Sequence, residues 1–232
     1  MTTAVRWAGD RLGYHFADPG LLDLALTHRS ASARNNERLE FLGDAVLGLV
    51  IADALYRRRP DAGEGLLSRI RSRLVRGETL ADIARDLGLA DLVRLGSGET
   101  RTGGHQRSSI LSNALEALLG AIYLDGGMAA AEAVVLRLYA GRLADLPGEE
   151  ALTDPKTRLQ EWLQARGEQL PVYAVKHVAG SAHAQVFEVV CEIGSLGVVV
   201  GGHGASRRTA EQDAAQRALA EVLAAGGTPA AP

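Results

Sequence analysis

The sequence predicts an α + (α+β) chain, in which an all-helical N-terminal unit precedes a small α-β-β-β-α unit. Three observations predict it. From Pro19 to about Leu146, leucine, isoleucine and alanine recur every three or four residues, the period of helices that bury one face. At Asp145-Leu146-Pro147-Gly148-Glu149-Glu150 this pattern stops, because Pro-Gly ends a helix and acidic residues keep the segment solvated. Beyond it the period shortens to two: Phe187, Val189, Cys191 and Ile193 alternate onto one face of a strand. The resulting boundaries are 6–146 for the helical unit, 147–152 for the linker, 153–225 for the second unit and 226–232 for a disordered tail.

In order, the helical stretches are Leu21 to Leu26, Asn36 to Tyr56, Gly63 to Val75, Gly77 to Leu87, Ser109 to Asp125 and Met128 to Leu146. Between Leu95 and Ser108 the run Gly96-Ser97-Gly98-Glu99-Thr100-Arg101-Thr102-Gly103-Gly104 reads as a mobile polar loop. In the second unit, Thr153 and Asp154 offer an N-cap and Pro155 suits the first helical position, with Gly167 closing that helix. Strands follow at Val172 to Val178, Gln185 to Ile193 and Leu196 to Val200, with Gly194-Ser195 as a two-residue hairpin turn. Gly201-Gly202-His203-Gly204 reads as a turn before a last helix from Ser206 to about Ala224.

A chain of 232 residues with one cysteine, Cys191, has no internal disulfide and no thiolate zinc site, which points to a reducing, cytoplasmic setting. The first residues lack the apolar core of a signal peptide, and the run Ala45 to Ala52 is too short to span a bilayer, so no membrane partner is expected. The net charge of −3 is a poor guide to partners, because acidic residues cluster.

That cluster is the informative part of the chain. In Glu37-Arg38-Leu39-Glu40-Phe41-Leu42-Gly43-Asp44, the three carboxylates fall at about 0°, 300° and 340° around a helix, on one narrow face. Like charges so placed repel one another unless a cation or protonation compensates them. Hard oxygen ligands suit Mg2+, with Mn2+ as the substitute. A second helix supplies Asn113 and Glu116 at i and i+3, and Glu116 stands alone among Ala, Leu and Ile, where an unpaired carboxylate is not tolerated. The other reading is a solvated acidic face with Arg29, Arg34 and Arg38 as counter-ions. Arg69, Arg73 and Arg76, opposite the stripe Leu66, Leu67, Ile70 and Leu74, make a basic ridge that is either solvated or phosphate-binding.

The string Asn36-Glu37-Arg38-Leu39-Glu40-Phe41-Leu42-Gly43-Asp44 resembles the signature of the ribonuclease III family. The resemblance continues through Leu26-Thr27-His28-Arg29-Ser30, Glu64, Gly103-Gly104 and the Glu116 helix, over nearly the whole chain. It implies metal-ligand positions at Glu40, Asp44, Asn113 and Glu116, with Asp44 and Glu116 catalytic and Glu37 and Glu64 accessory. At Asn113 the family most often has aspartate, so this site carries one formal charge fewer and is expected to bind metal more weakly. The implied reaction is metal-assisted hydrolysis of double-stranded RNA, leaving 5′-phosphate and 3′-hydroxyl ends, in the processing of rRNA and other RNA, with no small-molecule cofactor. Phe41 is implied to pack across a homodimer interface. His28 and Cys191 are read as structural.

The C-terminal unit resembles the double-stranded RNA-binding domain. That likeness implies minor-groove contacts from Thr157, Gln160 and Glu161 and from His183 in Gly180-Ser181-Ala182-His183. Ser206, Arg207 and Arg208 would meet phosphate at the start of the last helix. From Thr153 onward seven Lys and Arg face eight Asp and Glu, so binding must rest on local clustering. The competing reading is a non-catalytic double-stranded RNA binder with a degenerate metal site, and retention of Glu37, Glu40, Asp44, Glu64 and Glu116 argues against it. A di-metal oxidase bundle would need two Glu-x-x-His pairs, and none exists.

Overall fold

A computed structural model describes residues 3–146, 148, 154–181 and 185–225. His183, Thr153, most of the linker and the tail at 226–232 lie outside the described residues. The chain divides into two compact units, Met1–Pro147 and Gly148–Pro232.

The first unit is helical: α1 (Thr3–Trp7), α2 (Pro19–Ala25), α3 (Glu37–Arg58), α4 (Glu64–Leu74), α5 (Gly77–Asp86), α6 (Ser97–Arg101), α7 (Ser108–Leu138) and α8 (Ala140–Ala144). Asp18 caps α2 by accepting from the Gly20 amide, with Pro19 at the first helical position. The core is the crossing of α3 and α7. Leu39, Val46, Leu47, Val50 and Ile51 of α3 are buried with Leu111, Leu115, Leu118, Leu119 and Ile122 of α7. By length and composition α7 could span a bilayer, but here it is the core helix of this unit.

The two helices read at Ser109 to Asp125 and Met128 to Leu146 form one element, broken at Gly127 (φ 76°, ψ −175°) and ending at Leu138 before the short α8. Only glycine adopts that backbone freely. The end of the straight part is clamped: Asp125 accepts from the Tyr14 hydroxyl at 2.7 Å and from the Ala17 and Asp18 amides at 2.8 Å.

The glycine-rich segment is a correction. It forms α6 and a 3-10 turn, Gly104–Gln106, with Gly104 buried. Two of its glycines are close-packing positions: a Cβ on Gly96 would lie 2.2 Å from the Ser30 carbonyl oxygen, and one on Gly104 would lie 2.6 Å from the Glu99 side chain. The missing side chains that suggested looseness let the backbone dock.

The second unit has α9 (Pro155–Gln164), β1 (Val172–Ala179), β2 (Val186–Ile193), β3 (Val198–Gly204) and α10 (Arg207–Ala224), with an antiparallel sheet in the order β1-β2-β3. Asp154 caps α9 through the Lys156 amide. Leu159, Leu163, Cys191, Ile193, Ala214, Ala215 and Ala218 close its core. Two turn readings are corrected. Ile193 pairs with Val198, so the hairpin loop is Gly194–Leu196 plus Gly197 rather than Gly194-Ser195. Gly201–Gly204 belongs to β3, where a Cβ on Gly202 would lie 2.3 Å from the Ala214 amide nitrogen of α10.

Candidate active site

The acidic residues converge because the backbones of α3 and α7 touch. A Cβ on Gly43 would lie 1.7 Å from the Glu116 carbonyl oxygen, and one on Gly120 would lie 2.3 Å from that of Leu39. Two glycines at one crossing bring the helices closer than side chains allow. Glu40 and Asp44, flanking Gly43 on α3, therefore face Asn113 and Glu116 on α7.

Together they line a cleft of about 730 Å³ with Glu37, Phe41, His28, Arg29, Ser30, Glu99 and Arg107. Glu40 and Glu116 are half-buried, whereas Glu37 and Asp44 are exposed. Burial pushes the Glu116 carboxyl up to about 7, and the Asp44 and Glu40 charges push the same way. Burial also raises Glu40; a hydrogen bond from Asn113 works against this, and Glu37 and Asp44 add to it. The solvated-face reading fits the exposed Glu37, paired with Arg29, and the exposed Asp44, but not the half-buried Glu40.

This donor set fits a hard divalent cation: carboxylate and amide oxygens, partly desolvated and short of counter-charge. Among the described residues, no three acidic, His or Cys side chains are already gathered to hold an ion.

One wall of the cleft was not legible in the sequence. The Ser30 hydroxyl accepts from the Gly96 amide at 3.0 Å, tying α6 to the turn after α2. This brings Glu99 and Arg107 to the rim as an ion pair, with Thr102 also accepting from Arg107. Nothing in their spacing signals that contact. His28 lines the cleft with its Nδ1 accepting from the Ser30 amide at 3.2 Å, and burial lowers its pKa.

Glu64 is not brought into this cleft within one chain. It accepts from Ser68 at 2.7 Å and lines a separate hollow with Leu49, Tyr56, Leu67 and Arg71. Arg69 and Arg73 are exposed on α4, while Arg76 precedes α5 and pairs with Glu78.

In the second unit, Thr157, Gln160 and Glu161 are exposed on α9. Ser206 caps α10 in a reciprocal box with Thr209, placing Arg207 and Arg208 in its exposed first turn. Arg207 pairs with Glu211 at 2.8 Å, which also holds Lys156 at 2.7 Å. Lys156 was not singled out by the sequence reading.

Comparisons with known proteins agree with both units. A family model described as Ribonuclease-III-like matches residues 18–143, and one described as Double-stranded RNA binding motif matches 155–222. The chain is 56% identical over 210 residues to Ribonuclease 3 of Alkalilimnicola ehrlichii, covering 90% of this chain and 92% of that one. It is 51% identical over 222 residues to Ribonuclease 3 of Vibrio cholerae, covering 96% and 99%. The solved nuclease domain of ribonuclease III from Campylobacter jejuni is 41% identical, with a TM-score of 0.60, covering 63% of this chain and 100% of that domain. A second structure of that domain, described as flexible in a region involved in dimer formation, is 42% identical with a TM-score of 0.59, covering 61% and 99%.

Proposed function

Because this chain belongs to the ribonuclease III family, we propose that Glu40, Asp44, Asn113 and Glu116 form the divalent-cation site with which it hydrolyses double-stranded RNA. The protein is a double-strand-specific endoribonuclease with a double-stranded RNA binding motif. The observation that carries the site assignment is the α3–α7 crossing, which faces two half-buried carboxylates of raised pKa across the Gly43–Gly120 contact.

The cation we assign is Mg2+, with Mn2+ able to replace it, on the chemistry of an all-oxygen donor set. When bound, it would supply a nucleophilic hydroxide and stabilise the leaving oxygen of the phosphodiester. The protein's own part is to hold Asp44 and Glu116 as the essential ligands and to orient Glu40 through Asn113. Glu37 and Glu64 remain accessory positions in this reading.

Homodimer formation through α3 is supported by Phe41, Leu49 and Tyr56, which are 82%, 59% and 73% exposed on one helix, an apolar strip that a soluble surface seldom leaves bare. Duplex RNA is held by Thr157, Gln160, Glu161, His183, Ser206, Arg207 and Arg208, the division at Pro147–Gly148 separating binding from cleavage. The single cysteine, buried and free, supports a cytoplasmic location, and processing of rRNA precursors is the corresponding role.

The test is to incubate the full chain with duplex RNA, single-stranded RNA and duplex DNA, with Mg2+ or with chelator. Cleavage of duplex RNA alone, ended by chelator, is the expected result. Binding without cuts at any Mg2+ or Mn2+ concentration would instead support the non-catalytic binder.

A further inference from the structure

Arg29 lines the acidic cleft beside Glu37 and Glu40. Its backbone is fixed. The neighbouring His28 amide donates to the Arg94 carbonyl at 3.0 Å, Ala31 closes a turn onto the His28 carbonyl at 2.9 Å, and Asn36 donates to Thr27 at 2.9 Å. Its side chain is loosely held. The only hydrogen bond it makes among the described residues is from Nη1 to Glu37 Oε1 at 3.4 Å, with the two side chains 71% and 52% exposed.

The second arginine of the cleft behaves differently. Arg107 is held by Glu99, whose side chain is only 21% exposed, and by the Thr102 hydroxyl. Arg107 is part of the wall, whereas Arg29 sits on a rigid turn with most of its five donors unused.

The cleft holds five carboxylates, Glu37, Glu40, Asp44, Glu99 and Glu116, against these two guanidiniums. A phosphodiester entering it meets a field of its own sign. A planar guanidinium matches two phosphate oxygens at once, and a long, solvated ion pair is easily exchanged for such a bidentate contact. We propose that Arg29 is a substrate ligand, parked on Glu37 in the free protein and transferred to a backbone phosphate when duplex RNA enters the cleft. The assignment rests on the RNA-cleavage reading above.

At 71% exposure the Arg29 stem fills no core space, so its replacement leaves no cavity. The test compares Arg29→Gln and Arg29→Lys in the full chain. In the Glu116→Gln background with Mg2+, Arg29→Gln should weaken duplex RNA binding by roughly tenfold and flatten the plot of log affinity against log salt by about one unit. In the otherwise unaltered chain it should lower kcat/KM by about ten- to a hundredfold, with Arg29→Lys recovering part of the loss. Calorimetric Mn2+ binding to the RNA-free protein should be unchanged or tighter, because a competing cation has gone. An unchanged salt slope together with full cleavage at saturating Mg2+ would reduce Arg29 to a counter-ion and overturn the proposal. If the unaltered chain cut no RNA while the salt slope still fell, the phosphate contact would stand and the cleavage reading would fail.

Discussion

Glu116 is half-buried with its carboxyl near pH 7, against an ordinary value of 4.5, chiefly because burial disfavours its charge. In the metal-free protein the folded state therefore keeps a proton that the unfolded chain has released. Stability should fall as pH rises from about 4.5 to about 7 and level off above that. Glu116→Gln removes this fall, so in chelator at pH 8 the variant should be more stable than the parent by on the order of 1–2 kcal/mol, allowing for partial exposure. Melting curves at pH 5 and pH 8 check it: an equal difference at both would refute the charge as the cause. The same variant should lose cleavage while keeping RNA affinity, as read by gel shift beside a cleavage assay. Asn113→Asp trades an amide beside Glu40 for a carboxylate, so that all four proposed ligand positions are acidic. It should reduce the Mg2+ needed for half-maximal cleavage several-fold and lower the melting temperature in chelator. Glu40, Asp44 and Glu116 were legible from sequence because charge in an apolar helix needs a partner. Glu99 and Arg107 were not, because their place depends on Gly96 docking against Ser30.

At the scale of the element, the α3–α7 crossing carries both stability and site. Gly43→Ala puts a methyl group into the Glu116 carbonyl, a backbone atom that cannot move aside. It should destabilise the helical unit by roughly 2–4 kcal/mol, by overpacking plus displacement of a helix. Urea denaturation measures the loss, and at temperatures where the variant stays folded, cleavage should still fall because Glu40 and Asp44 move away from Glu116. The periodicity of the sequence located α3 and the start of α7 to within a few residues, but divided α7 near Gly127. It could not show that their glycines coincide, nor that the Gly-rich run folds into α6 and a 3-10 turn. In the Gly-rich run, glycine suggests absence of structure where Gly96 and Gly104 permit close approach. The same confusion turned the end of β3 into a turn, although Gly202 lies there because α10 crosses it.

For the whole molecule, two compact units divide the labour between cutting and holding. Phe41, exposed on α3, is the centre of the proposed contact between two copies. In a two-fold interface each change occurs twice, so Phe41→Asp, which forfeits about 1.5–3 kcal/mol of burial per copy and adds an unpaired charge, should convert a dimer to monomer in sedimentation. A chain that sediments identically after the change would remove α3 as the interface. RNA affinity should depend steeply on salt, because with seven cationic and eight acidic residues from Thr153 onward binding must rest on local clusters such as Arg207 and Arg208.

By itself the sequence determined the order of the two units, most of the helices and strands, and the acidic residues proposed for the site, because hydrophobic period and unpaired charge are local properties of a chain. Only the tertiary structure decided how closely α3 and α7 approach, that Glu64 stands apart from the cleft in one chain, and that Arg29 sits beside Glu37 with donors to spare. Those are distances between residues remote in sequence, set by which backbones can touch.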